Sequence, residues 1–251
     1  MSNTAKVIGN GPIRVLALHG WFGDANGWGY LPDLIDQEKY TWAFVNYRGY
    51  GDRMDVPGEF TNDEIADDAL AIADELGWDS FAVVGHSMGG KAAQKVWLKS
   101  PNRVTTIVGV SPIGAAALEW DDDGLALFQG AAHDTEKRYT ILDFTTGNRN
   151  TATWLNKMTE YSLAHSTPEA YGAYFTAWGL DDFAEELPAE GHPTVHVIVG
   201  ENDPASGPEG VKGTWLTNFP DATLQVIANA GHYPMYEAPV NFVTALEKAL
   251  G

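Results

Sequence analysis

The pentapeptide Gly85-His86-Ser87-Met88-Gly89, extended by Gly90, sets a hydroxyl among glycines in the pattern G-x-S-x-G. A serine there can serve as a nucleophile if it sits on a very sharp strand-to-helix turn that presents its Oγ outward. Glycines on either side leave room for that backbone. A helix behind it would aim its free N–H groups at developing negative charge. A hydroxyl is a weak nucleophile and needs a general base. Of the seven histidines, His232 in Ala230-Gly231-His232-Tyr233-Pro234 is the best placed. It follows the last strand-like run and precedes the C-terminal helical run, at the sheet end that carries Ser87. His133 and His165 fall in a helical stretch and His192 in a loop. His196 lies inside a strand, facing core or a helix. His19 shapes the loop it begins, and His86 packs beneath the turn. The imidazole in turn needs a carboxylate to fix its tautomer and steady the imidazolium. Asp203, in Gly200-Glu201-Asn202-Asp203-Pro204, fills that role, with Glu201 as its nearest competitor.

Attack on a carbonyl creates an oxyanion that needs two N–H donors. Met88, directly after the serine, supplies one. The other comes from His19-Gly20-Trp21-Phe22-Gly23-Asp24, with Trp21 first and Phe22 second. These are backbone roles, so both side chains remain free for substrate.

Such groups need strand ends to hold them. Apolar runs at Ile13 to Leu18, Thr41 to Val45, Phe81 to Val84, Val104 to Val110, Thr194 to Val199 and Thr223 to Ile227 alternate with helical patterns. That alternation predicts an α/β protein with a mostly parallel sheet flanked by helices. Thr61 to Leu76 predicts a helix, with Thr61 and Glu64 forming a capping box and Gly77 stopping it. Lys91 to Lys99 and Val240 to Leu250 are two more, the last with Pro239 set for its first turn. The stretch 114–188 is aromatic and helical in pattern, and so long a connection should be structured or functional. We expect a helical cap there, over a core of residues 1–113 and 189–251. Trp120, Phe128 and Trp154 of the cap, with Trp21, Phe22, His86 and Tyr233, are the expected substrate contacts, and two or three inward aromatic rings would make an apolar pocket. Asp121-Asp122-Asp123 reads as a solvated turn.

The chain has 251 residues, 44% of them hydrophobic and 20% charged, and no cysteine. Thiol nucleophiles, thiolate metal sites and disulfides are therefore excluded. The formal net charge of −19 argues against nucleic acid and anionic membranes as partners. Met1 to Pro12 does not read as a secretion signal, and no apolar run approaches the ~18 residues of a membrane span. A cytoplasmic location and a monomer or homodimer are expected. No ligand spacing suggests a metal. No glycine-rich phosphate loop suggests a cofactor, since Gly27-Trp28-Gly29 lacks a preceding strand and a third glycine.

From about Ile13 onward the sequence resembles the α/β-hydrolase superfamily, in its single-domain esterase, lactonase and C–C hydrolase branch. The resemblance rests on His19-Gly20-Trp21, Asn46 to Asp52, the Ser87 turn, Gly200 to Asp203, and Gly231-His232 with Glu237 and Pro239. It implies the chain order Ser87, Asp203, His232, and a cap inserted after the family's strand 6, here Val104 to Val110. Some members take their acid from the end of that strand. Here Ser111-Pro112 stands there, and Glu119 is the first acid beyond it. The resemblance implies a cofactor-free serine hydrolase of a small ester or lactone. The alternatives are a C–C bond hydrolase, a cofactor-free perhydrolase or oxygenase, and a ligand receptor that keeps the pocket with little turnover.

Overall fold

Seven strands form one sheet in the order β1-β3-β2-β4-β5-β6-β7, in a computed structural model that describes residues 5–251. The strands are β1 (Ala5–Gly9), β2 (Ile13–Leu18), β3 (Tyr40–Val45), β4 (Phe81–His86), β5 (Val104–Val110), β6 (Thr194–Gly200) and β7 (Thr223–Ile227). Every pairing is parallel except β1 with β3, which runs Ala5 opposite Val45 to Gly9 opposite Thr41. Central parallel strands are covered on both faces and so read as unbroken apolar runs. β4 is buried throughout, and β2 is buried from Val15 to Leu18. β1 is a short, half-exposed edge strand without such a run, and the sequence pattern did not reveal it. Residues 1–4 of the stretch read for a secretion signal lie outside the described residues.

The helices are α1 (Leu31–Leu34), α2 (Asn62–Glu75), α3 (Met88–Lys99), α4 (Asp122–Gly130), α5 (Thr135–Thr145), α6 (Ala152–Ala164), α7 (Pro168–Phe175), α8 (Pro208–Lys212), α9 (Trp215–Asn218), α10 (Pro234–Glu237) and α11 (Pro239–Leu250). α2 packs on α3, and α3 lies along β2, β4 and β5. α11 lies against β5, β6 and β7, with α1 beside it. Trp28, Trp42, Trp97 and Trp215 are fully buried. Each such large apolar side chain stabilises the fold by about 3 kcal/mol relative to exposure.

Local chemistry sets the helix ends. Thr61 Oγ1 accepts the Glu64 N–H, as a cap should. The Glu64 carboxylate, however, reaches back to the N–H groups of Glu59 and Phe60 rather than to Thr61. Arg48 stands 2.8 Å from it and draws it outward. α3 begins at Met88, three residues before the first one the sequence pattern supports, because Gly89 and Gly90 are poor helix formers. β4 runs on through Gly85 to His86, paired with β5 to Val110. The three aspartates at 121–123 open α4, and Asp121 accepts the Gly124 N–H as its N-cap. Between β5 and β6 the chain carries α4 to α7, a π-helical turn at Thr176–Leu180 and a 3₁₀ turn at Ala184–Glu186. No helix among the described residues is long and apolar enough to cross a membrane.

Candidate active site

Ser87 sits between β4 and α3 with φ 53° and ψ −118°, a left-handed backbone that costs a non-glycine residue ~1–3 kcal/mol. Neighbouring contacts hold it there. Its N–H donates to Val110 O at 3.0 Å, and its carbonyl accepts the N–H groups of Gly90 and Ile113. The flanking glycines are demanded by crowding. A Cβ on Gly85 would stand 2.2 Å from Gly89 O, one on Gly89 2.1 Å from Leu18 O, and one on Gly90 2.4 Å from Pro112 Cβ.

His232 follows β7 in the loop before α10. Its Nδ1 lies 2.7 Å from Asp203 Oδ2, and both side chains are buried. The other oxygen of Asp203 accepts the N–H groups of Ala205 and Ser206 at 2.9 and 3.0 Å. Burial alone would raise the Asp203 carboxyl. The facing His232 and these hydrogen bonds outweigh it and hold the carboxyl below its ordinary value. Glu201 points elsewhere and accepts the Asn229 N–H on the exposed side of the turn. The His232 backbone is fixed from two sides: its N–H donates to Thr145 O at the end of α5, and its carbonyl faces His86 Nε2 at 2.8 Å. Gly231 permits the first contact, since a Cβ there would stand 2.7 Å from Thr146 Cα.

The loop after β2 approaches Ser87 closely, and a Cβ on Gly20 would stand 3.2 Å from Ser87 Cβ. The N–H groups of Trp21, Phe22 and Met88 have no acceptor among the described residues. Two bonds fix the peptide planes of this loop. His19 Nδ1 lies 2.8 Å from Gly20 O, which orients the N–H of Trp21 in the same trans plane. Tyr50 OH donates to Trp21 O at 2.9 Å and orients the N–H of Phe22 likewise. Burial pushes the His19 imidazole down to about 4, so it is neutral and its Nδ1 carries the proton that Gly20 O accepts.

Ser87 and His232 open into a common cavity of about 290 Å³. Trp21, Phe22, Trp120, Phe128 and Tyr233, five of the expected contact residues, line it. Two others stand outside. His86 is buried behind the Ser87 turn on the His232 carbonyl, and burial, followed by repulsion from His232, lowers its imidazole to about 3. Trp154, on α6, packs edge-on against Tyr233 and Tyr236, outside the lining shell. The expected contacts did not include Ile141, Phe144 and Thr145 of α5, Trp178 of the π-helical turn, or Pro112 to Gly114 beyond β5, all of which line the cavity. The apolar residues of α5 follow almost no one-sided helical spacing, so the sequence held no signal of which face meets the cavity. Among the described residues Glu119 is the one carboxylate in the lining, and no lysine or arginine stands there. The Trp21 indole also joins the loop to the insertion, donating to Tyr171 O at 2.8 Å and stacking on that ring.

A left-handed serine behind a strand, a histidine in the same cavity and a carboxylate on that histidine define a class. The chain belongs to the alpha/beta hydrolase fold family, whose family model matches residues 13–239. It is 28% identical over 254 residues to the dihydrolipoyllysine-residue acetyltransferase component of the acetoin cleaving system of Cupriavidus necator. That match covers 97% of this chain and 65% of that protein. It is also 28% identical over 263 residues to a pimeloyl-[acyl-carrier protein] methyl ester esterase of Nitrosomonas europaea, covering 96% of this chain and 97% of that one. Among solved structures, a hydrolase from Oleispira antarctica shares the fold with a TM-score of 0.87 at 17% identity, over 99% of this chain and 94% of that one.

Proposed function

We propose that this protein is a serine hydrolase that cleaves a carboxylic ester or lactone of a small, largely apolar substrate through an acyl-enzyme. The observation that carries the reading is the Asp203–His232 contact at 2.7 Å, with His232 opening into the same cavity as Ser87. Similarity to an ester-cleaving relative supports it. In this reading His232 takes the Ser87 proton as Oγ attacks the carbonyl carbon. Trp21 and Met88 N–H groups hold the oxyanion, each contributing about 3 kcal/mol to the transition state. His232 then protonates the leaving alkoxide, and a water activated by the same imidazole releases the acid. Asp203 stays ionised throughout and keeps Nδ1 protonated, so that Nε2 faces the serine.

Residues 114–188 act as the cap, and their aromatic wall receives the acyl group. A lining with no lysine or arginine among the described residues favours neutral acyl groups over carboxylate-bearing ones. This argues against the C–C hydrolase alternative wherever its dienone substrate carries a carboxylate. The test is hydrolysis of p-nitrophenyl acetate, butyrate and octanoate by the protein and by Ser87→Ala. Turnover that vanishes in the variant is expected; turnover that survives would remove Ser87 from the reaction.

A further inference from the structure

Lys91, one turn into α3 from Ser87, is 0% exposed. Its ammonium donates to three backbone carbonyls: Ala116 and Trp178 at 3.2 Å each, and Asp181 at 2.5 Å. An ammonium has three donors, and all three are used. No carboxylate forms an ion pair with it among the described residues. The groups facing it are the carboxylates of Asp181 and Asp182 at longer range, the like charge of Lys95 on its own helix, and the Phe183 ring 5.6 Å away. Lys95 is itself occupied by Glu186 at 2.7 Å. Burial dominates and brings the Lys91 amine down to about 8. An apolar side chain would fill this place without the desolvation cost. The charge is therefore explained by what it holds.

The three carbonyls belong to the two legs on which the insertion leaves β5 and returns toward β6. The legs are also bonded to one another. Leu118 N–H and Trp120 Nε1 both donate to Gly179 O, and Phe183 N–H donates to Ala115 O. The π-helical turn ends at Leu180, which leaves the Trp178 carbonyl at a helix terminus, where a cation is favourable. These same legs carry Leu118, Trp120 and Trp178 into the cavity.

We propose that Lys91 is a positioning residue for acyl recognition: its ammonium clamps the two legs of the insertion and sets the wall of Leu118, Trp120 and Trp178 beside Ser87. The inference rests on the ester-hydrolase reading for its substrate, but the clamp can be tested without it. When the amine loses its proton above pH about 8, one of the three donors is lost and the wall loosens.

In Lys91→Met, KM for p-nitrophenyl octanoate should rise about tenfold while kcat stays within about threefold, the signature of lost ground-state contacts. The parent's octanoate KM should rise between pH 7 and 9, and that of Lys91→Met should stay flat. Lys95→Met should keep the rise but move it to higher pH, because a like charge that lowers the Lys91 amine is removed. Amide exchange provides the arm that needs no substrate: Leu118 and Phe183 should lose protection in Lys91→Met relative to the β4 amides. Unchanged octanoate KM and unchanged protection would overturn the proposal, as would equal loss of protection in β4. If Lys91→Met does not fold, the parent's own exchange decides: Leu118 and Phe183 must lose protection relative to β4 between pH 7 and 9, or the clamp is refuted. If the parent hydrolyses no ester, the ester reading falls and the exchange arm still judges the clamp.

Discussion

The strand ends and the insertion meet at one cavity, but they hold their functional groups by different means. At the strand ends main-chain bonds do the holding: Ser87 N–H on Val110 O, His232 N–H on Thr145 O, and Asp203 on two N–H groups. In the insertion, apart from the main-chain bonds between its two legs, side chains do it. The buried Arg138 guanidinium donates to Ala131 O, Ser162 Oγ and Ser166 Oγ and lies 3.6 Å from the Tyr171 ring centroid. Four aromatic rings, Trp120, Phe128, Phe175 and Trp178, lean on one another above the cavity. Main-chain bonds fix atoms whatever the neighbouring side chains are. Side-chain packing fixes a shape that changes with each substitution. The reacting atoms and the substrate wall should therefore be separable by mutation.

The sharpest separation is at Ser87 and Asp203. Ser87→Ala should lower kcat by about 10⁴-fold or more without moving the thermal midpoint. Asp203→Asn should cost about 10³- to 10⁴-fold. An asparagine Oδ1 can still accept the Ala205 and Ser206 N–H groups, so the loop stands. Its amide would donate to Nδ1 and force the wrong tautomer on His232. Glu201→Gln, on the exposed side of the same turn, should change kcat/KM by less than about twofold. A large loss there with an active Asp203→Asn enzyme would exchange the two acids.

Acid should strain the strand ends before it touches the insertion. His19 and His86 are lowered to about 4 and about 3 by burial, whereas an unfolded chain protonates both near pH 6.5. Between pH 6.5 and 4 the unfolded state therefore binds more protons, so stability falls as pH falls through this window. The two histidines together cost several kcal/mol at its lower end, at about 1.4 kcal/mol per pKa unit. Asp203, held below its ordinary value, keeps its contribution above the unfolded pKa of ~3.9 and loses it only as pH falls through its folded value. Relief of acidic self-repulsion acts in the opposite sense, given a formal charge of −19. The clean readout is therefore the difference between the parent and His86→Gln in urea unfolding at pH 7, 6, 5 and 4.5. The gap should narrow or reverse as pH drops; a gap independent of pH would contradict the buried neutral His86.

The same division governs what could be read from the residues. Buried parallel strands write unbroken apolar runs, and the Ser87 turn writes its glycines, because backbone crowding leaves no alternative. β1 wrote little, being five residues long, half-exposed and bonded on one side only. His86, expected as a contact from its adjacency to Ser87, is instead buried on the His232 carbonyl and is not part of the cavity lining. In the insertion, aromatic content was plain but its direction was not. Which ring faces the cavity depends on how α4, α5 and α7 cross, and the side chains that fix those crossings lie far apart along the chain. Lys91 was invisible for the same reason. Its partners are three carbonyls, and a carbonyl has no sequence.

Phe128 and Trp154 give the finest test of that point. Both are half-buried aromatic residues of the insertion, and their types and settings in the sequence gave no reason to prefer either. Phe128 lines the cavity, stacked between Trp21 at 6.0 Å and Phe175 at 6.1 Å. Trp154 lies behind Tyr233 at 6.1 Å, on the far side of the histidine loop. Truncating either removes apolar burial, so Phe128→Ala and Trp154→Ala should each lower the thermal midpoint. Only Phe128→Ala removes part of the cavity lining, and on the proposed reading it should raise the octanoate KM about fivefold, or ~1 kcal/mol, with acetate little changed. Trp154→Ala should shift it less than about twofold, through slight loosening of Tyr233. Equal KM shifts in the two variants would mean that the cavity wall responds to the insertion's packing as a whole, and that recognition cannot be assigned ring by ring.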